Sequence, residues 1–297
     1  MKRKICLIST SRAEYGHLQD LIKLFHNDKK ITFNFVVSGT HLSKKYGNTI
    51  NEIDKKLVKK KNLIRIISSQ RNDQTGIIAS RTMNKFYNYF NKTKPNIIII
   101  LGDRFEIFSV AYAALLNNIP IAHIHGGELT LGAIDDSIRH SITKMSFWHF
   151  ATTSEYKRRI IQLGEDKRNI FNFGALAVDR ISQIKFKNRK QLSKILKIKF
   201  SKKNILITFH AETHKSEREN IKNAKIIVSS LKNIKDTTLI FTGSNIDKNS
   251  EKINYIFKSF IKKRKTNRFY FDSLGSINYL SLLSNVDIVL GNSSSGI

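Results

Sequence analysis

Short apolar runs alternate along this chain with longer segments whose apolar residues recur at helical spacing. The runs "KICLIS" (4–9), "FNFVVSG" (33–39), "NLIRII" (62–67), "NIIIILGD" (96–103), "IPIAHIHGG" (119–127) and "WHFATT" (148–153) read as strands. Between them, "EYGHLQDLIKLFH", "GIIASRTMNKFYNYFN", "FEIFSVAYAALLNN" and "DDSIRHSITKMS" predict helices. Strands alternating with helices predict βαβ crossovers and a mostly parallel sheet. The unbroken apolar stretch 97–101 predicts a strand buried on both faces, since it has no polar side to turn to water.

The alternation degrades over 181–203, a lysine-rich segment, and restarts at "NILITFHAET" (204–213). It continues through "TTLIFTGSN" (237–245), "RFYFDS" (268–273) and "DIVLGNSSSGI". The expectation is an α/β protein of two Rossmann-like, doubly wound parallel-sheet domains, 1–180 and 204–297, with a boundary at 181–203.

Ligands of open parallel sheets bind beyond the carboxyl ends of the strands. Six polar clusters fall there: "STSRAEYG", "LGDRFE", "HIHGGELT", "FHAET", "FTGSN" and "GNSSSGI". Turn and cap chemistry accounts for any one of them. Their recurrence points to a site in the cleft between two domains.

Each cluster admits a plain reading beside a chemical one. Arg12 and the backbone N–H groups at a helix start suit an anion, or Glu14 simply caps that helix. Ser293, Ser294, Ser295 and Gly296 could cradle a diphosphate, although no G-x-x-x-x-G-K-[ST] loop is present. No G-x-G-x-x-G follows the first strand, which argues against a nicotinamide or flavin cofactor. His123, His125, Glu128, Asp135, Asp136, Arg139 and His140 crowd around a double glycine. Metal binding is one option there, but H-E-x-x-H and cysteine clusters are lacking, which favours a proton-moving set. Asp135 and Asp136 also suit the first turn of a helix. With Asp103 close by, mutual repulsion would raise some carboxyl pKa values. His210, at a strand end, is either structural or faces a diphosphate.

Composition narrows the partners. At 297 residues and 40% hydrophobic content the chain can bury a core, which excludes wholesale disorder. The net charge of +29 raises nucleic-acid or anionic-membrane binding. The lysines are spread out and not interleaved with aromatics, so we expect a solvated surface that steers small anionic substrates, and no nucleic-acid partner. The single cysteine, Cys6, permits no intramolecular disulfide. No stretch approaches the roughly 20 apolar residues of a membrane span, and "MKRKICLIST" is too short in apolar residues for a signal peptide. A cytoplasmic protein without a membrane partner is the expectation.

In order, "SRAEYG", "VVSGTHLSKKYGNT", "LGDRFEIFSVA", "NNIPIAHIHGGE", "DDSIRHSITKMS", "QLGEDKRNIFNFGALAVD", "TFHAET" and "GNSSSGI" resemble the hydrolysing UDP-N-acetylglucosamine 2-epimerases of sialic-acid-type pathways. The resemblance implies a glycosyltransferase-B-like fold with a UDP-sugar in the cleft, no cofactor, no metal and a homodimer. It implies anti elimination of UDP through a glycal, then water addition with protonation at C2 from the opposite face. It places Asp103 and Asp135 on catalytic carboxylates and His210 near the leaving diphosphate. Arg12, Ser293, Ser294, Ser295 and Gly296 fall on nucleotide-binding loops, with Arg139 a further substrate-binding candidate. Many relatives have "HIEGGE" where this chain has "HIHGGE", so His125 and Glu128 are expected to divide the proton work. Ala211 stands where a proline is usual. Family members continue beyond "GNSSSGI" with an acidic residue and a proline-containing loop, so the second domain reads as incomplete. The alternatives are an epimerase for a UDP-2,4-diacetamido sugar, a glycosyltransferase of the same architecture, and a non-catalytic nucleotide- or polyanion-binding protein.

Overall fold

A computed structural model describes residues 2–67, 74–130, 133–212, 215–243, 250–263 and 267–293. The chain divides into two compact units, Met1–Ser182 and Gln183–Ile297.

The first unit runs β1 (Arg3–Ser9), α1 (Arg12–Asn27), β2 (Ile31–Ser38), β3 (Leu63–Ile64), α2 (Thr75–Thr93), β4 (Ile97–Leu101), α3 (Phe105–Leu116), β5 (Ile121–Ile124), α4 (Ile134–Met145), β6 (Trp148–Ala151), α5 (Ser154–Gln162), β7 (Ile170–Asn172) and α6 (Leu176–Gln183). Among the described residues its seven strands are all parallel, in the order β3-β2-β1-β4-β5-β6-β7. Successive residues of a strand point to opposite faces, and here both faces are covered. Cys6, Ile8, Ile98 and Ile100 pack with Phe86, Phe90, Ile107 and Val110 of α2 and α3. Leu7, Phe35, Ile99 and Leu101 pack with Tyr15, Leu18 and Ile22 of α1. That is why 97–101 is apolar at every position. β4 ends at Leu101, two residues before the expected end, because Gly102 takes φ +81°, which a strand cannot continue through.

The second unit runs α7 (Arg189–Leu196), β8 (Lys203–Thr208), α8 (Glu217–Leu231), β9 (Thr237–Thr242), α9 (Ser250–Lys262), β10 (Arg268–Phe271), α10 (Ser276–Leu283) and β11 (Ile288–Gly291). Its four strands are parallel in the order β10-β9-β8-β11. The segment 181–203, read above as a boundary, carries α7. Asn188 caps it in a reciprocal box with Gln191, and Leu192 is fully buried with Leu206, Ile240 and Leu282. Among the described residues no helix is long and apolar enough to cross a membrane.

Candidate active site

Strand order reverses between β1 and β4, and between β8 and β11. Such switch points open a crevice at the carboxyl ends of the strands. Arg12 follows β1 and Asp103 follows β4, so both flank the first crevice. His210 and Ser293 flank the equivalent point of the second unit. There the Asn292 side chain accepts from the His210 N–H at 2.8 Å and donates to the His210 carbonyl at 2.9 Å. This two-way clamp ties the β8 and β11 ends together. Ser294, Ser295 and Gly296 lie outside the described residues.

In the first unit Asp103 pairs with Arg139 of α4, whose Nη2 also donates to Thr130 Oγ1 at 3.1 Å. Arg139 is buried, and its Nε and Nη1 have no hydrogen-bond partner among the described residues. Unsatisfied buried donors of a cation are costly, so an acceptor placed at this fork would be stabilising. Burial raises the Asp103 pKa above the usual carboxylate range. Arg139 and Arg104 pull it down while Asp135 and Glu128 push it up, and the net direction is upward. Asp135, half-buried in the first turn of α4, therefore acts on Asp103 by its charge.

His125 sits just past β5 with φ +67°, a left-handed conformation that is strained for a non-glycine residue. Its Nδ1 lies 3.0 Å from Glu128 Oε1, which also accepts from Thr152 Oγ1 at 2.9 Å. Burial pushes the Glu128 carboxyl up, but the hydrogen bond and charge of His125, Thr152 and Arg139 outweigh it, and Glu128 stays below its ordinary range. An ionised Glu128 can only accept, so Nδ1 of His125 is the donor in this pair and the ring is oriented with Nε2 on its far side. That Nε2 is buried and has no partner among the described residues. Gly127 holds the loop closed: at φ +76°, a Cβ there would meet the Tyr156 carbonyl oxygen at 2.5 Å.

The neighbouring polar residues divide into supports and participants. His123 is a strut, with Nε2 2.8 Å from the Gly102 carbonyl and Nδ1 3.3 Å from Thr143 Oγ1. Burial drives its pKa down to about 3, so it stays neutral. Asp136, in the first turn of α4, accepts from the Thr130 N–H at 3.1 Å and so tethers the preceding loop to the helix; it does not close a cap on Ala133, the N-cap residue. His17 of α1 was missed by the strand-end reading. Its ring centroid lies 5.7 Å from that of His125, and its Nδ1 is likewise buried and without a partner among the described residues. Burial, reinforced by His125, lowers its pKa to about 4. A histidine one helical turn after Glu14 was the available signal. No group of three or more His, Cys, Asp or Glu among the described residues could hold a metal ion.

Two parallel-sheet units with polar clusters at their switch points define a glycosyltransferase-B-like α/β protein. Solved structures agree: UDP-GlcNAc 2-epimerase from Neisseria meningitidis bound to UDP-GlcNAc matches with TM-score 0.76 at 19% identity, over 98% of this chain and 78% of that one. The family model for UDP-N-acetylglucosamine 2-epimerase matches residues 23–297. A GDP/UDP-N,N'-diacetylbacillosamine 2-epimerase (hydrolyzing) of Campylobacter jejuni is 41% identical, over 100% of this chain and 77% of that protein. Polysialic acid biosynthesis protein P7 of Escherichia coli is 37% identical, over 99% of this chain and 75% of that protein. The chain belongs to the UDP-N-acetylglucosamine 2-epimerase family.

Proposed function

We propose that the chain is a hydrolysing 2-epimerase that converts UDP-N-acetylglucosamine and water to N-acetylmannosamine and UDP. The observation that carries the reading is the Glu128–His125 pair, an oriented imidazole with a buried, unpartnered Nε2 among the described residues, beside the Asp103–Arg139 pair. In the first step a base of this set takes the C2 proton. The C1–O bond breaks with its electron pair going to the UDP oxygen, leaving a glycal. In the second step a water oxygen bonds C1 and gives its proton to a base of the set or to the departing UDP, while an acid of the set protonates C2 on the opposite face. Asp103, its pKa raised by burial, and His125 are the candidate proton carriers, while Glu128 orients His125 and Asp135 tunes Asp103. Arg139 offers Nε and Nη1 to a substrate oxygen. Arg12, His210, Ser293, Ser294, Ser295 and Gly296 are assigned to the diphosphate, and the active species is expected to be a homodimer.

The test is incubation with UDP-N-acetylglucosamine and no acceptor. UDP and N-acetylmannosamine in equal amounts support the reading; UDP only on addition of an acceptor would make the protein a transferase. A second reading, a UDP-2,4-diacetamido sugar as the substrate, is favoured by the 41% identical relative. The ratio of kcat/KM for UDP-N-acetylglucosamine and UDP-N,N'-diacetylbacillosamine decides between them.

A further inference from the structure

Two buried carboxylates and one part-buried guanidinium outside the proton-moving set lie across the first switch point. Glu14 and Glu106 are 4% and 1% exposed. Arg104 grips Glu106 through Nη2 at 3.0 Å and Nε at 3.2 Å, and its Nε lies 3.9 Å from Glu14 Oε1. Glu14 in turn accepts the Thr10 N–H at 2.5 Å and the Thr10 hydroxyl at 2.7 Å.

Helix capping does not account for this arrangement. Ser11 already caps α1, and a capping box would return the Glu14 carboxylate to the Ser11 N–H. Glu14 instead reaches one residue further back, to Thr10. Where the chain does build such a box, at Ser216 and Glu219, the glutamate is exposed. Stability does not account for it either, because buried ion pairs contribute little against the cost of removing charge from water. The cluster joins two turns. Thr10 lies two residues before Arg12, and its carbonyl accepts the Thr40 N–H at 2.8 Å. Arg104 directly follows Asp103.

We propose that Glu14 and Arg104 are positioning residues, a clamp that locks the turn presenting Arg12 to the turn presenting Asp103. The clamp rests on the function proposed above and names residues outside its reacting set. It works only with Glu14 ionised. Protonation reverses the Thr10 hydroxyl bond and removes the charge that Arg104 faces. Burial holds the Glu14 pKa at about 7, with Arg104 and Thr10 lowering it and Glu106 raising it. On the β2 side His41 is kept neutral by burial, with its pKa at about 4.

The experiment compares full-length wild type with Glu14→Gln, Thr10→Val and Thr10→Ser from pH 6 to 8.5, reading kcat/KM by UDP release and UDP affinity by calorimetry. At pH 8 Glu14→Gln is expected to lose about tenfold in both, the scale of a displaced binding turn. The loss is expected to shrink toward pH 6 as wild-type Glu14 takes up its proton. Thr10→Val falls with it and Thr10→Ser restores it. A Glu14→Gln deficit that is absent or the same at every pH overturns the clamp, as does a Thr10→Ser no better than Thr10→Val. Wild-type protein without turnover counts against the function proposed above, and the clamp is then judged on the UDP affinities alone. Circular dichroism at each pH separates unfolding from both.

Discussion

At His125 the backbone carries strain of about 1–3 kcal/mol that an asparagine would bear more easily. Retaining an imidazole there is explicable by chemistry rather than stability. His125→Asn is therefore expected to lower kcat by about 10²–10⁴ while leaving Tm no lower than wild type. Unchanged turnover with a lower Tm would make His125 structural. Glu14 carries a second trade-off. Its pKa is raised from 4.5 to about 7, so the native state binds a proton that the unfolded state has released in that interval. Its contribution to stability consequently falls as pH rises from 4.5 to 7, by up to about 3 kcal/mol. Glu14→Gln removes that loss. Thermal unfolding should show a higher Tm for the variant at pH 8 and a much smaller difference at pH 5.

The elements of the first unit were legible where periodicity was strong, and less so where an element is short or charged. β7 is three residues long, and α5 buries only Ile160 among basic side chains, so neither stood out from its surroundings. The lysines of 181–203 hid α7 in the same way, although Leu192 is as buried as any core residue. Asn188→Ala is expected to destabilise the second unit by about 1 kcal/mol through loss of the capping box, read by denaturant unfolding. The site divides along similar lines. Asp103, His125 and Glu128 were legible because they sit at or just past strand ends, where local sequence already places them. His17 and Thr152 were not, because only tertiary packing brings α1 and the end of β6 to the His125–Glu128 pair. The Arg104–Glu106 pair is local and legible at the start of α3, but the link from Arg104 to Glu14 was hidden for the same reason: Glu14 is on another helix.

At the scale of the whole molecule, buried neutral histidines set the acid limb of stability. His17, His41 and His123 have pKa values of about 4, 4 and 3, and His149 is lowered as well, chiefly by burial. In the unfolded chain these groups protonate below their ordinary 6.5. The unfolded state then binds more protons, so stability is lost as pH falls from 6.5 toward 4. The histidines outnumber Glu14 and Asp103, whose raised pKa values give the opposite slope, and Tm should rise from pH 4.5 to 6.5 and then flatten or decline slightly by pH 7. The net charge of +29 acts on encounter rather than fold. Raising salt well above 0.1 M, where the screening length is about 10 Å, should lower kcat/KM for a UDP-sugar more than it lowers kcat. Proton exchange at C2 is coupled to UDP release in the proposed reaction, and it is read by turnover of UDP-N-acetylglucosamine in heavy water followed by proton NMR of the product. The expected product is free N-acetylmannosamine carrying deuterium at C2. Release of UDP with protium retained at C2 would contradict it.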